Sequence, residues 1–166
     1  MKKWVGSGLL LLVIMSLGLT TTGNCAEYPT PRLRVFIKDE GFHEKNIVKP
    51  RIYVENIGRQ TVHNFDLYYF FTAERGKTPV IETYYVPNGR VTLERENRRE
   101  YVVRYRFRNI RLEPGEAFPD RNGCVIGIHY TDWSDFIKEN DYSDPGTPNW
   151  RLTRKVNLEV SETFRR

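Results

Sequence analysis

The sequence predicts an all-β sandwich or jelly roll built of seven to nine short strands. Three observations carry this. Apolar residues recur with a period of two along several short segments, while no helical period persists over ten residues. Aromatics are abundant, 10 Tyr, 9 Phe and 3 Trp against 2 Met, and such residues favour strands. Twelve Gly and nine Pro are scattered between these segments as turn residues. A hydrophobic share of 39% and a charged share of 28% over 166 residues suit one globular domain and exclude a collagen-like or disordered chain.

Residues 1–26 read as a secretory signal peptide and not as part of the fold. Lys2 and Lys3 make a positive start, Leu9–Leu19 is an apolar run of 11 residues, and Thr20–Ala26 is small and polar. A spanning helix needs ~20 apolar residues, so no transmembrane segment is expected and the protein is expected outside the cell. Cleavage after Gly23 and after Ala26 both fit. Cys25 offers a lesser alternative, a lipid-anchored form, but Asn24 and Thr22 stand where a small and an aliphatic residue are usual. Cutting after Ala26 leaves Cys124 as a small buried hydrophobe in a strand. Cutting after Gly23 would permit a Cys25–Cys124 bridge. The remaining segment, 27–166, reads as a single domain. Losing two lysines from a surplus of five leaves three positive charges, weak evidence for an anionic partner.

Along that segment, Leu33–Lys38 and Arg51–Glu55 are strand candidates on either side of Pro50, and Asn56-Ile57-Gly58 is a turn. Phe65–Thr72 is apolar on both faces, as a central strand of a two-layer sandwich should be. Val80–Val86 follows a polar loop, and Pro87-Asn88-Gly89 turns the chain into Arg90–Leu93. The clearest alternation comes next: Tyr101, Val103, Tyr105 and Phe107 on one face, Arg104, Arg106 and Arg108 on the other. Pro114-Gly115 is a turn and Cys124–Tyr130 a strand. Thr131–Asn149 is a long polar segment, of the kind that is either disordered or functional. Trp150–Val160 is expected as one last alternating strand.

Several chemistries are excluded or disfavoured. Two cysteines cannot build a disulfide framework or a cysteine zinc site, and His43, His63 and His129 lack paired ligand spacing. No phosphate loop or nucleophile elbow is present. Asp132, Asp135, Glu139, Asp141 and Asp144 cluster in one polar segment, but nothing separates a proton donor from an ionised partner as glycoside hydrolysis requires. Oxygen-rich loops suit calcium better. The arginines of 95–111 read as the solvent face of a half-buried strand, and no nucleic-acid partner is expected. Trp133, between Asp132 and Ser134, reads as exposed. Tyr84 and Tyr85 are adjacent, so in a regular strand only one can be core. Flat exposed rings stack on the C–H faces of pyranose sugars.

Three segments resemble the family 3 carbohydrate-binding modules, the cellulose-binding jelly rolls of bacterial cellulases and scaffoldins. They are Val48–Thr72 (VKPRIYVENIGRQTVHNFDLYYFFT), Leu112–Gly115 (LEPG) and Asp132–Ser143 (DWSDFIKENDYS). The likeness spans roughly 33–145. It implies a jelly roll of about nine antiparallel strands, no catalysis, a monomer, and a polysaccharide partner, cellulose or a related β-glucan. It places Trp133 at the family's stacking Trp, with Tyr84 and Tyr85 where the family has an Asp–His pair. The family's Arg, six residues before the Trp, is Gly127 here. The resemblance also implies a structural calcium at Thr72, Glu74, Asn140 and Asp141, with Ile137 able to offer only its carbonyl. The alternative is a structural or adhesion module that kept the fold and the calcium but lost the sugar.

Overall fold

A computed structural model describes residues 32–161. The strands are β1 Leu33–Asp39, β2 Ile47–Val48, β3 Pro50–Asn56, β4 Phe65–Thr72, β5 Pro79–Tyr85, β6 Gly89–Arg95, β7 Glu100–Phe107, β8 Ala117–Phe118, β9 Cys124–Tyr130, β10 Arg151–Thr153 and β11 Asn157–Val160. They form two antiparallel sheets. The first runs β10-β1-β3-β9-β2, with β5 on β9 and β8 on β3; the second runs β11-β4-β7-β6. In the first sheet β3 pairs with Cys124 and Val125 of β9 and β2 with Ile128 and His129, while β5 holds the opposite edge of β9.

Period-two alternation decides which side chains fill the space between the sheets. Ile37, Ile52, Ile126, Ile128 and Tyr130 point inward from the first sheet, and Phe65, Leu67, Tyr69, Phe71, Val103, Tyr105 and Phe107 from the second. All are 2% exposed or less. Each such burial contributes roughly 1.5–3 kcal/mol, which is what holds the two layers together. Cys124 belongs to this core; its Sγ donates to the Ile52 carbonyl at 3.2 Å, and burial pushes its thiol up to about 12. The signal peptide, the lipid anchor and a Cys25 bridge all concern residues outside those described. Among the described residues no helix is long and apolar enough to cross a membrane.

The arginine ladder lies on the outer face of the second sheet. Arg104 donates to Asp66 Oδ2 through Nε and Nη2 (2.9 and 2.6 Å), and Arg108 Nη1 reaches Asp66 Oδ1 at 2.6 Å. Burial alone would raise the Asp66 carboxyl, yet these two guanidinium hydrogen bonds hold it below the usual range. The face is thus a charge-paired surface as well as a solvent-facing one.

The 131–149 segment is strapped down across one end of the sandwich. Phe136 is buried against Phe71 and Tyr130, and Ser143 binds Phe70 through both its N–H and its hydroxyl oxygen. Within it, the 3-10 turn Lys138–Asn140 sends the Lys138 ammonium to Asp39 Oδ2 at 2.8 Å, and Asp39 is fully buried. One expectation is corrected beyond this segment. Trp150–Val160 is not one strand: β10 pairs with β1 in the first sheet and β11 with β4 in the second. Between them the chain changes layer, with Val156 turned into the core and Leu152 left 55% exposed. A single alternating register cannot serve two sheets.

Candidate functional site

The aromatic residues singled out from sequence meet on the outer face of the first sheet. In β9 the inward residues are Cys124, Ile126, Ile128 and Tyr130, so Val125, Gly127 and His129 face outward. β9 ends at Tyr130, and the Trp133 N–H donates back to the Tyr130 carbonyl at 3.0 Å. Trp133 takes a left-handed φ of 54°, an uncommon state for a bulky residue, which folds its ring back over the strand just left. There it stacks on His129 with ring centroids 3.7 Å apart and planes 12° apart, and it remains 49% exposed. The flanking residues of the DWS motif fix the turn. Asp132 Oδ1 accepts from the N–H and hydroxyl of Ser134, and Oδ2 accepts from Lys77 Nζ at 2.6 Å. Lys77 first, then Ser134, hold the Asp132 carboxyl far below its ordinary value.

Tyr84 and Tyr85 are both exposed, 51% and 49%. The regular alternation expected for this strand fails here for a definite reason. Thr83 pairs with inward Ile126, Tyr85 pairs with outward Val125, and Tyr84 is the extra residue of a β-bulge. A bulge sets two residues against one and turns neighbouring side chains to the same side. Tyr84 donates to Glu82 Oε2 at 2.6 Å; desolvation, then that hydrogen bond, push its phenol up to about 12. The other oxygen of Glu82 lies 3.5 Å from His129 Nε2. His129 Nδ1 is 2.8 Å from the Tyr130 carbonyl, which can only accept, so Nδ1 carries the proton and Nε2 faces Glu82. Trp133 on His129 and Tyr84 on Glu82 are therefore two neighbouring pairs, with no hydrogen bond between His129 Nε2 and the Glu82 carboxylate among the described residues. Tyr85 borders an adjoining shallow groove with Glu40, Lys49, Arg51 and Val125.

Gly127 belongs to the same arrangement. A Cβ there would stand 2.8 Å from Tyr84 Oη and 3.0 Å from Tyr84 Cε2, because the tyrosine lies across the glycine. Tyr84 thus covers the place where the resemblance has a guanidinium.

Of the four residues singled out for calcium, three converge. The Thr72 N–H donates to Asp141 Oδ1 at 3.3 Å. Glu74 Oε1 accepts from the Ile137 N–H at 3.0 Å. Glu74 Oε2 and Asp141 Oδ2 are both buried with no hydrogen-bond partner. Desolvation first, with the charges of Asp144 and Glu74, pushes the Asp141 carboxyl up to about 8. Asn140 is exposed at the end of the 3-10 turn, and its N–H takes up the Ile137 carbonyl at 3.3 Å. Among the described residues no three His, Cys, Asp or Glu side chains gather into a metal-binding group. The acidic cluster is accordingly dispersed, with Asp132 on Lys77, Asp141 buried and Asp144 on the Gly146 N–H.

Comparison with known families finds a match over residues 35–163 to the family described as cellulose binding domain. The chain belongs to that family. Solved structures agree on the fold. The carbohydrate-binding module CBM3b of the cellulosomal cellobiohydrolase 9A from Clostridium thermocellum is 24% identical, with a TM-score of 0.63 over 77% of this chain and 90% of that one. A CBM3 module of Hungateiclostridium clariflavum is 20% identical, TM-score 0.65, over 78% and 92%. The family 3a module of the cipA scaffolding of Clostridium thermocellum is 18% identical, TM-score 0.63, over 78% and 95%. Comparison with curated proteins gives no match.

Within this cellulose-binding-domain fold the sequence singles out Trp150 beside the polar segment but not the two outer-face rings that meet it, Phe36 and Tyr53. Phe36 stacks on Tyr53 at 4.7 Å, Trp150 meets Tyr53 edge-on at 4.8 Å, and Lys38 Nζ sits 5.0 Å over Trp150. The signal was present: with Val35, Ile37, Ile52 and Val54 in the core, alternation sends Phe36 and Tyr53 outward. His129 was overlooked for another reason. A lone histidine in an apolar run reads as core, and only the turn at Trp133 shows what lies on it.

Proposed function

We propose that the protein is an exported, monomeric, non-catalytic module that binds cellulose or a related β-glucan through Trp133, Tyr84 and Tyr85. One observation carries this reading: the bulge at Tyr84 puts both tyrosines on the same face as Trp133, with Tyr84 bonded to Glu82 and Trp133 stacked on His129. Exposed rings held in place by buried or bonded neighbours lose little freedom on binding, so stacking on sugar C–H faces is not offset by ordering. Family membership supports a polysaccharide partner and the absence of catalysis, and the cellulosomal origin of the first relative supports export.

Thr72, Glu74, Asn140 and Asp141 would hold one structural calcium. The support is chemical: two buried carboxylate oxygens without partners are oxygen donors of the kind this ion takes. When bound it would neutralise Glu74 and Asp141 and tie the 131–149 segment to the end of β4.

The test is depletion of the protein from solution by microcrystalline cellulose, amorphous cellulose, xylan and chitin. Cellulose should deplete the protein, and Trp133→Ala should abolish retention with the thermal transition unchanged; equal retention of the variant would overturn the assignment. The second reading, a structural or adhesion module, is favoured by Gly127 in place of a guanidinium. Depletion by none of the four polymers would establish it.

A further inference from the structure

We propose a second site on this protein, selective for the carboxylates of a uronic-acid polysaccharide, between the 73–78 loop and the turn joining β6 to β7. The cavity there is about 580 Å³ and is lined by Arg75, Lys77, Arg95, Arg98 and Arg99 against the single carboxylate of Glu74. That volume is far larger than a bare ion needs and lies in the range of small-ligand sites.

The turn sorts its charges. In the run Arg95-Glu96-Asn97-Arg98-Arg99-Glu100, the three arginines line this cavity, whereas Glu96, Asn97 and Glu100 line the neighbouring groove on the second sheet. Lys77 is matched by Asp132 at 2.6 Å, and Glu74 turns one oxygen to the Ile137 N–H. Four guanidiniums therefore face one cavity with little to balance them, and their mutual repulsion favours an anion between them.

Two of these cations, Arg95 and Arg99, are held in place by their own side-chain bonds. Asn97 Oδ1 accepts from the N–H groups of Arg99 and Glu100, and Ala73 and Arg99 join the two walls by a backbone bond of 2.8 Å. Arg99 Nε donates to the Ala73 carbonyl, which leaves both its terminal nitrogens for a ligand. Arg95 spends Nε and Nη2 on the turn carbonyls of Asn97 and Arg98, and its guanidinium lies 5.7 Å over the Tyr101 ring. Among the described residues the side chains of Arg75 and Arg98 are exposed and take part in no ion pair. Planar forks on a fixed turn are the groups that take carboxylates in paired hydrogen bonds, and a point charge such as lysine does not do so. The site does not use the Trp133 face, so the two can fail separately.

The experiment is affinity electrophoresis and calorimetry of the whole protein with polygalacturonate, fully methyl-esterified polygalacturonate and inorganic phosphate. Polygalacturonate should bind and its esterified form should not, because only the charge differs. The double variant Arg75→Ala/Arg98→Ala should lose about tenfold or more in affinity, the effect of removing charge-assisted hydrogen bonds. The charge-matched control Arg90→Ala/Arg154→Ala should stay within about twofold, as expected of general screening alone. Both variants should keep wild-type retention on cellulose and the wild-type thermal transition. Equal losses in the two variants, or equal binding of the esterified polymer, would overturn the site. Full displacement by phosphate at about millimolar concentration would mark a free-anion site and overturn the glycan assignment.

Discussion

Raising the pH should destabilise the cation-free protein, and calcium should remove that dependence. The group responsible is Asp141, whose carboxyl is pushed up to about 8 by burial and by the charges of Asp144 and Glu74. In the unfolded chain it ionises near 3.8. The folded state therefore keeps a proton that the unfolded state has already released. Stability from this group is full below the unfolded value, falls as pH rises through the window from about 4 to about 8, and levels off above it. The total loss is on the order of 5 kcal/mol, a large share of the roughly 5–15 kcal/mol that holds a domain together. Asp144, also raised by burial, acts in the same direction. In apparent melting temperature this amounts to about 10 °C or more. Thermal unfolding followed by circular dichroism from pH 5 to pH 8.5, with chelator and with excess calcium, measures it. The chelated protein should melt progressively lower as pH rises, and the calcium-loaded protein should show little slope. Asp141→Asn should flatten the chelated profile and abolish the calcium response. A flat profile in chelator for the unsubstituted protein, or an undiminished calcium response in Asp141→Asn, would refute the reasoning.

Two further outcomes follow from the geometry. His129→Ala removes the ring beneath Trp133 and should weaken cellulose retention about three- to tenfold, the worth of one aromatic stack, while His129→Phe should restore most of it. Lys138→Met leaves the fully buried Asp39 without its ammonium and should cost about 3–5 kcal/mol in urea unfolding, with Lys138→Arg recovering part of the loss.

Much of the fold was legible because one physical rule, alternation about a buried face, acts locally. Phe65–Thr72 and Cys124–Tyr130 occupy the spans their composition indicates, and Val103, Tyr105 and Phe107 are buried opposite the arginines. The rule failed where the chain leaves a regular register. At Tyr84 one extra residue reverses the expected opposition of neighbours, and at Arg154–Val156 the chain changes sheets within what reads as one strand. The site was legible in part. Trp133 is marked as exposed by its polar neighbours. His129, Glu82 and the covering of Gly127 by Tyr84 are not, because each depends on a pairing between β5 and β9 that no local pattern encodes.

What this sequence determines by itself is therefore the set of faces: which side chains leave water along the regular strands, that turns fall at Asn56-Ile57-Gly58 and Pro87-Asn88-Gly89, and that Trp133 stays exposed between Asp132 and Ser134. Those are consequences of backbone period and of short polar side chains bonding their own backbone. The tertiary structure alone decided which exposed rings share a surface and that a buried oxygen of the half-buried Glu74 lies near the buried carboxylate of Asp141. It also decided that the arginines of one hairpin turn gather on one side. Each of these is set by contacts between residues distant in the chain, and such contacts exist only once the two sheets have packed.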